Sequence, residues 1–345
     1  MGDDTSQTRL NSEQQPHRRR PRYSGKYPRR FEEKYKELEQ RPETLAKVLA
    51  SGKTPAGSHV PIMVGEILEV LDPKPRELVV DCTLGHGGHS RALLQKILPG
   101  GCLIGLDADP LELPRTEAAL RAEGFGEEVF TTRKSNFAGI QAVLAGAGAD
   151  AILADLGVSS MQLDNPQRGF TSKHEGPLDM RMNPARGIPA SKWLERIRSE
   201  ALAEILRENS DEPHAALLAP HLAGKTFATT LQFANAIRIA LPQRPAEEIQ
   251  KTVTRVFQAI RIEVNEEFAA LDAFLRVLPF CLKPGGRVAI LTFHSGEDRR
   301  VKKAFQAALR EGLFSDIARE VIRAAPDERR ANPRSIPAKL RWARK

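Results

Sequence analysis

Strand and helix patterns alternate along the first half of the chain, which predicts an α/β protein built on a parallel sheet. Two further observations refine the class. Three of the apolar runs end in an acid, at Asp81, Asp107 and Asp155, and a later run ends just before His294. Between Asp155 and that later run, residues 156–275 carry no strand signal. The expected architecture is an α/β sheet interrupted by an all-helical insert.

The elements follow in order. Residues 1–45 read as a basic, disordered extension, with a short helix over Arg30–Glu39. His59-Val60-Pro61 opens the folded part, and Ile62–Leu71 has helical apolar spacing that Asp72-Pro73 stops. Leu78–Asp81 reads as a first strand, Arg91–Leu98 as a helix and Cys102–Asp107 as a second strand. Asp109-Pro110 starts a helix that reaches Glu123. A third strand is expected over Glu128–Thr132, a helix over residues 139–146, and a fourth strand over Ala149–Asp155. Residues 156–190 are rich in Gly, Pro, Arg and Asp without periodicity, and so long a loop inside a compact domain is usually functional. Several helices follow over 191–275. Lys283-Pro284-Gly285-Gly286 then turns the chain into a buried strand ending at Phe293, followed by a helix over Glu297–Glu311. Ala338–Ala343 alternates apolar and basic residues, as an edge strand with one packed face would. The organisation expected is a sheet domain from 46–160 and 276–345, with 161–275 as an inserted loop and helical substrate domain.

The segment Asp81-Cys82-Thr83-Leu84-Gly85-His86-Gly87-Gly88-His89-Ser90 joins the first strand to its helix. Three glycines in four residues leave room for a ligand at the backbone and permit left-handed dihedrals. Asp107 follows, ending the second strand. A glycine-rich turn with an acid about 20 residues later is the Rossmann nucleotide fingerprint, in which the acid takes ribose hydroxyls. The third glycine of that fingerprint is Ser90 here, which serves a pyrophosphate poorly. The pattern favours an S-adenosylmethionine enzyme, with a nicotinamide or flavin enzyme as the alternative. Ligands of open α/β sheets bind outside the carboxyl ends of the strands, so Asp81, Asp107, Asp155 and His294 are expected around one crevice.

Further motifs narrow the reading. Asp155-Leu156-Gly157-Val158-Ser159-Ser160 is followed by Gln162-Leu163-Asp164, Arg168-Gly169-Phe170 and Gly176-Pro177-Leu178-Asp179-Met180-Arg181-Met182. Later come Phe257–Glu267, Phe293-His294-Ser295-Gly296-Glu297-Asp298-Arg299 and Asn332-Pro333-Arg334-Ser335. With His59-Val60-Pro61 and the glycine loop, these resemble, in order from His59 to Arg344, the bacterial ribosomal RNA small subunit methyltransferase H family, also called MraW.

The resemblance implies a class I S-adenosylmethionine-dependent methyltransferase sheet. It implies methyl transfer to the exocyclic N4 of a decoding-centre cytosine in 16S rRNA, within the small ribosomal subunit or its precursor. By matching positions, Gly87, Gly88 and His89 would contact the cofactor. Asp107 would hold the ribose, Phe137 would flank the adenine, and Asp155 and Gln162 would lie near the methyl group. Asp155 is the candidate proton acceptor, and His294 a second catalytic candidate for orienting the base, with His59 a further one. Arg168, Arg181 and Arg186 are expected to grip RNA, or else to pair with Asp164 and Asp179. Gly296 departs from the family, which usually has Leu there.

At 345 residues the chain can bury a sizeable core. No apolar run approaches the ~18 residues of a membrane span, and a cytoplasmic address is expected. Cys82, Cys102 and Cys281 have neither zinc-site nor disulfide spacing, and no metal site is expected. The oligomeric state, a dimer among the options, is left open. The net charge of +8 favours an anionic partner, and its distribution is uneven. Arg18–Lys36 holds nine Lys or Arg, two acids and all three tyrosines of the chain, a composition suited to phosphate contacts and base stacking. Deleting residues 1–45 should therefore weaken affinity for RNA and flatten its salt dependence. An unchanged affinity and salt slope in a binding titration would show the extension to be inert.

Overall fold

The structure is a computed structural model that describes residues 61–345. The extension over 1–45, its helix at Arg30–Glu39, and His59 lie outside the described residues.

The first helix, α1 (Val64–Leu71), turns its apolar stripe inward at Ile67 and Leu71. The alternating units follow as β1 (Leu78–Asp81), α2 (Gly88–Ile97), β2 (Cys102–Asp107), α3 (Leu113–Ala122), β3 (Phe130–Lys134), α4 (Ile140–Leu144) and β4 (Ala149–Asp155). Next come the short α5 (Ser160–Asp164) and five longer helices: α6 (Ala190–Arg196), α7 (Ser199–Ser210), α8 (Ala215–Leu222), α9 (Thr230–Ile239) and α10 (Ala246–Val264). The chain ends with α11 (Glu267–Cys281), β5 (Leu282–Thr292), α12 (Ser295–Arg310), β6 (Asp316–Ile317), α13 (Pro326–Ala331) and β7 (Lys339–Arg344).

The strands form one sheet in the order β3-β2-β1-β4-β5-β7-β6. Pairing is parallel from β3 through β5, and β7 runs antiparallel to both β5 and β6. The strand order reverses between β1 and β4, which is where an open α/β sheet leaves a crevice for its ligand. Side chains alternate across the sheet as strand geometry demands. Val80, Ile152, Ile290 and Ala343 pack with α4, α11 and α12 on one face. Val79, Leu153, Leu291 and Leu340 pack with α1, α2 and α3 on the other.

Two of the expected strands differ, and the helix expected to start at Asp109-Pro110 begins at Leu113. The third strand begins at Phe130, because the Val129 and Phe130 N–H groups both donate to the Gly126 carbonyl and keep residues 127–129 in a turn. The last strand is not at the edge: the two-residue β6 pairs with it, joined by an isolated bridge between Ile322 and Leu340. So short a partner has no periodicity to reveal it.

A second hydrophobic cluster stands apart from the sheet, formed by α6 to α10 with Phe170, Leu178 and Met180 from the long loop. That loop is held by packing and hydrogen bonds. Gly169 has φ 76°, and a Cβ there would lie 2.4 Å from the Pro177 carbonyl oxygen. Asn265 closes the arrangement by accepting the Met182 N–H at 2.7 Å and donating to the Met180 carbonyl at 2.7 Å. Helix α11 straddles the boundary expected at 275 and packs on the sheet through Leu271, Phe274, Leu275 and Leu278, so the separate cluster ends with α10. Arg261 of α10 and Glu267 of α11 join the two parts through a bidentate pair at 2.7 and 2.8 Å.

Phe274 is fully buried and meets Phe137 edge-on, with centroids 5.5 Å apart. Phe274→Ala should lower stability by ~3–5 kcal/mol, read as a shifted midpoint in chemical denaturation.

Candidate active site

The carboxyl ends of β1, β2 and β4 bring three carboxylates to the crevice, and each is handled differently. Asp81 is buried. Its Oδ2 accepts the Ser90 hydroxyl at 2.7 Å, and its Oδ1 accepts the Thr83 N–H at 3.1 Å. Burial pushes its carboxyl up, against the pull of Ser90 and the nearby His89. Asp107 accepts the Gly85 N–H at Oδ2 and the Asp109 N–H at Oδ1, both at 2.8 Å. Each of its oxygens keeps a second lone pair for a further donor. Burial raises the Asp107 carboxyl to about 6, so it is a carboxylate at neutral pH.

Asp155 is tied to the glycine loop through its backbone: its N–H donates to Thr83 Oγ1 at 2.7 Å. Its carboxylate is less satisfied. Oδ2 lies 3.7 Å from His89 Nδ1, and Oδ1 is buried without a hydrogen-bond partner. Burial lifts its carboxyl to about 6, the His89 charge opposes the rise, and Asp81 and Glu297 add to it.

The glycines of the loop do different work from one another. A Cβ on Gly88 would lie 2.9–3.0 Å from three ring carbons of Pro61, and one on Gly87, at φ 71°, would meet Leu120 and Thr116 at 3.0 Å. These two glycines let α2 seat against its neighbours. Gly85, at φ 49°, is the open one: its Cβ would meet nothing closer than the Thr83 carbonyl at 3.8 Å. The open surface of the loop therefore lies at Gly85, whose N–H donates to Asp107.

The family model described as "MraW methylase family" matches residues 56–345. The chain belongs to the MraW methylase family. It is 47% identical to "Ribosomal RNA small subunit methyltransferase H 1" of Agathobacter rectalis, over 96% of this chain and 99% of that protein. It is 46% identical to "Ribosomal RNA small subunit methyltransferase H 2" of Alkaliphilus metalliredigens, over 97% and 99%. The "Ribosomal RNA small subunit methyltransferase H" of Heliobacterium modesticaldum is 40% identical over 83% and 98%. Matches covering 96% and 97% of the chain must include most of residues 1–45, so the extension has a counterpart in the first two relatives.

On this family's sheet the structure gathers Gly87, Gly88, His89, Asp107 and Asp155 around the end of β1, as expected. His89 is buried, and its ring meets the Ile62 carbonyl through Nε2 at 2.9 Å. Phe137 sits at the start of a short 3-10 turn that Asn136 caps. Gln162 is buried and fully engaged. Its Nε2 donates to Asp109 Oδ2 at 2.8 Å, and its Oε1 accepts the Ser159 N–H at 3.0 Å in a capping box for α5.

One expected role is corrected. Arg168 does not face RNA, and its partner is neither Asp164 nor Asp179. It is buried, with Nη1 on Asp109 Oδ2 at 2.8 Å and Nη2 on the Met182 carbonyl at 2.8 Å. Arg181 makes a bidentate pair with Asp179, at 2.8 Å on each oxygen, while Arg186 is exposed. His294 Nε2 lies 3.0 Å from Glu297 Oε1, and the other Glu297 oxygen accepts the Phe293 N–H at 2.8 Å. Burial alone would raise the Glu297 carboxyl, but His294, Arg261 and that N–H together hold it below its usual range. The departure at Gly296 has a steric account: a Cβ there would lie 2.6 Å from Cζ of Phe268, whose ring occupies the space beside His294 and carries Arg300 stacked on it at 3.8 Å.

Sequence reasoning missed the roles of Thr83, Asp109 and Glu297. The Asp109 pairing carried one signal, because a buried arginine requires an acid and Asp109 stands two residues after Asp107. Breaking that pair leaves a buried charge alone. Arg168→Ala should therefore lower stability by ~3–5 kcal/mol in a urea titration, as a structural lesion and not as a simple loss of RNA affinity.

Proposed function

We propose that this chain methylates the exocyclic N4 of a cytosine in 16S rRNA, using S-adenosylmethionine. The observation that carries the reading is the half-satisfied carboxylate of Asp155, at a crevice ringed by Asp81 and Asp107 in a member of this family. A crevice rich in carboxylates suits a cationic sulfonium cofactor, since opposite charges attract strongly where water is excluded. Asp107 suits ribose hydroxyls, with one acceptor lone pair left on each oxygen. Gly85 leaves the backbone open beside it. Gly87 and Gly88 support this contact by fixing the start of α2, and Phe137 offers an aromatic face for the adenine. Gln162 acts through Asp109 and Ser159, as a brace for the loop after β4.

Bound S-adenosylmethionine supplies an activated methyl group. The rest of the work falls to the chain. Cytosine N4 is a weak nucleophile because its lone pair is delocalised into the ring, so alignment supplies much of the rate. The partly exposed Asp155 carboxylate accepts an N4 hydrogen, which orients the amine and draws electron density onto the nitrogen. The proton that the amine must lose then has an acceptor already in contact. His294, held by Glu297, stands at the end of β5 as a second group for the base. The helical cluster beside the crevice, with the loop stapled to Asn265, is the surface that selects the RNA. A base inside structured RNA must be splayed or flipped to reach such a crevice.

The test is incubation with labelled S-adenosylmethionine and either small ribosomal subunits or naked 16S rRNA, followed by nucleoside analysis. N4-methylcytidine should appear, and its absence from every RNA would sink the reading. Asp155→Ala should lower the transfer rate by at least ~100-fold while leaving the denaturation profile cooperative. A variant with full rate would remove Asp155 from its role.

A further inference from the structure

We propose that His89 is a positioning residue for the proton released during methyl transfer, holding and receiving that proton through Asp155. The proposal rests on the N4-methylation reading above, and it goes beyond cofactor contact for this histidine.

The hydrogen-bond arrangement leaves little choice. A carbonyl oxygen only accepts, so His89 Nε2, 2.9 Å from the Ile62 carbonyl, must carry a hydrogen. In the neutral ring Nδ1 is then bare, and it faces Asp155 Oδ2 at 3.7 Å. A bare nitrogen facing an ionised carboxylate is repulsive. One proton placed between them turns the contact attractive, as imidazolium with carboxylate or as imidazole with carboxylic acid. The ring cannot swing away, because it is buried and fixed at its far nitrogen. Asp155 therefore faces His89 through Oδ2 while a fifth of its side chain stays exposed, and that exposed side is left for the acceptor amine.

The proton balance closes on these groups. The amine would form one N–C bond to the methyl carbon as the S–CH3 bond broke with its electron pair left on sulfur, and one N–H bond would break. Its proton passes to Asp155, and from Asp155 to His89 Nδ1, which restores the carboxylate beside an imidazolium. Loss of that proton to solvent returns the pair to its starting state. The charged groups facing the pair are Asp81 from β1 and Glu297 from α12, with Arg261 and Glu267 beyond Glu297. Burial raises the Asp155 carboxyl to about 6, with His89 opposing the rise and the two acids adding to it.

The sign of the test follows. Asp155 must be ionised to accept a proton, so transfer should fall as pH drops through about 6. His89→Gln keeps a donor for the Ile62 carbonyl and removes the titrating nitrogen. Without the His89 charge the Asp155 carboxyl rises, and the acid limb of single-turnover transfer should move up by about one pH unit. The rate at pH 6, measured at saturating S-adenosylmethionine, should fall ~10-fold relative to the rate the same variant reaches at pH 8. An acid limb that stays in place, or a loss equal at every pH, would overturn the proposal.

A second measurement needs no variant. Nitrogen-15 NMR of the histidine-labelled full chain should show His89 protonated at Nε2 throughout, with an Nδ1 signal that changes between pH 5 and 8 and is displaced in Asp155→Asn. A His89 Nδ1 signal constant from pH 5 to 8 would overturn it. Coupled titration in a chain that methylates no cytosine N4 would support the pair while removing the substrate reading.

Discussion

Thr83 Oγ1 accepts the Asp155 N–H at 2.7 Å, and the Thr83 N–H is itself held by Asp81. This short chain of contacts ties the loop after β1 to the end of β4 across the point where the strand order reverses. The rest of the site hangs from it. It fixes the backbone of Asp155, leaving only the carboxylate free to respond. It also aligns Asp81 with Ser90, so that the first turn of α2 starts where His89 meets the Ile62 carbonyl. Three carboxylates so close would repel if all were exposed to one another. The structure limits that cost by giving Asp81 and Asp107 backbone and hydroxyl donors and by placing His89 beside Asp155.

A second level of support lies behind Gln162. Asp109 receives both the Gln162 amide and the buried Arg168 guanidinium, so the end of β2, the capping box of α5 and the loop beyond share one acid. The same logic recurs at the far side, where Arg261, Glu267, Glu297 and His294 join the helical cluster to the end of β5. The crevice is thus bounded by two buried ionic clusters, one on each side of the reversal point. Such clusters are costly to break and hold side chains within narrow limits.

Much of this was legible in the chain. Asp81, Asp107 and Asp155 each end an apolar run, and strand geometry then places them at one edge of the sheet. The helical insert was legible as a long stretch without strand signal. What stayed hidden depended on partners distant in sequence. Arg168 has Asp164 and Asp179 nearby, yet it bonds to Asp109, 59 residues away. Nothing in the sequence around Gly88 shows that its missing side chain also makes room for Pro61. The two-residue β6 has no periodicity at all, and only its hydrogen bonds with β7 define it. Local pattern reports where a polar group stands along an element, while the fold decides which of several partners it meets.

The separate hydrophobic cluster lies between β4 and α11, and α11 packs on the sheet on its way to β5. The crossover from β4 to β5 would be complete without it. The cluster is in effect a single enlarged loop at the carboxyl edge, the position where loops of α/β sheets meet their ligands. Its own core is built from different residues from those that hold the sheet together. The cluster can therefore diverge in sequence without disturbing the packing that holds the sheet together.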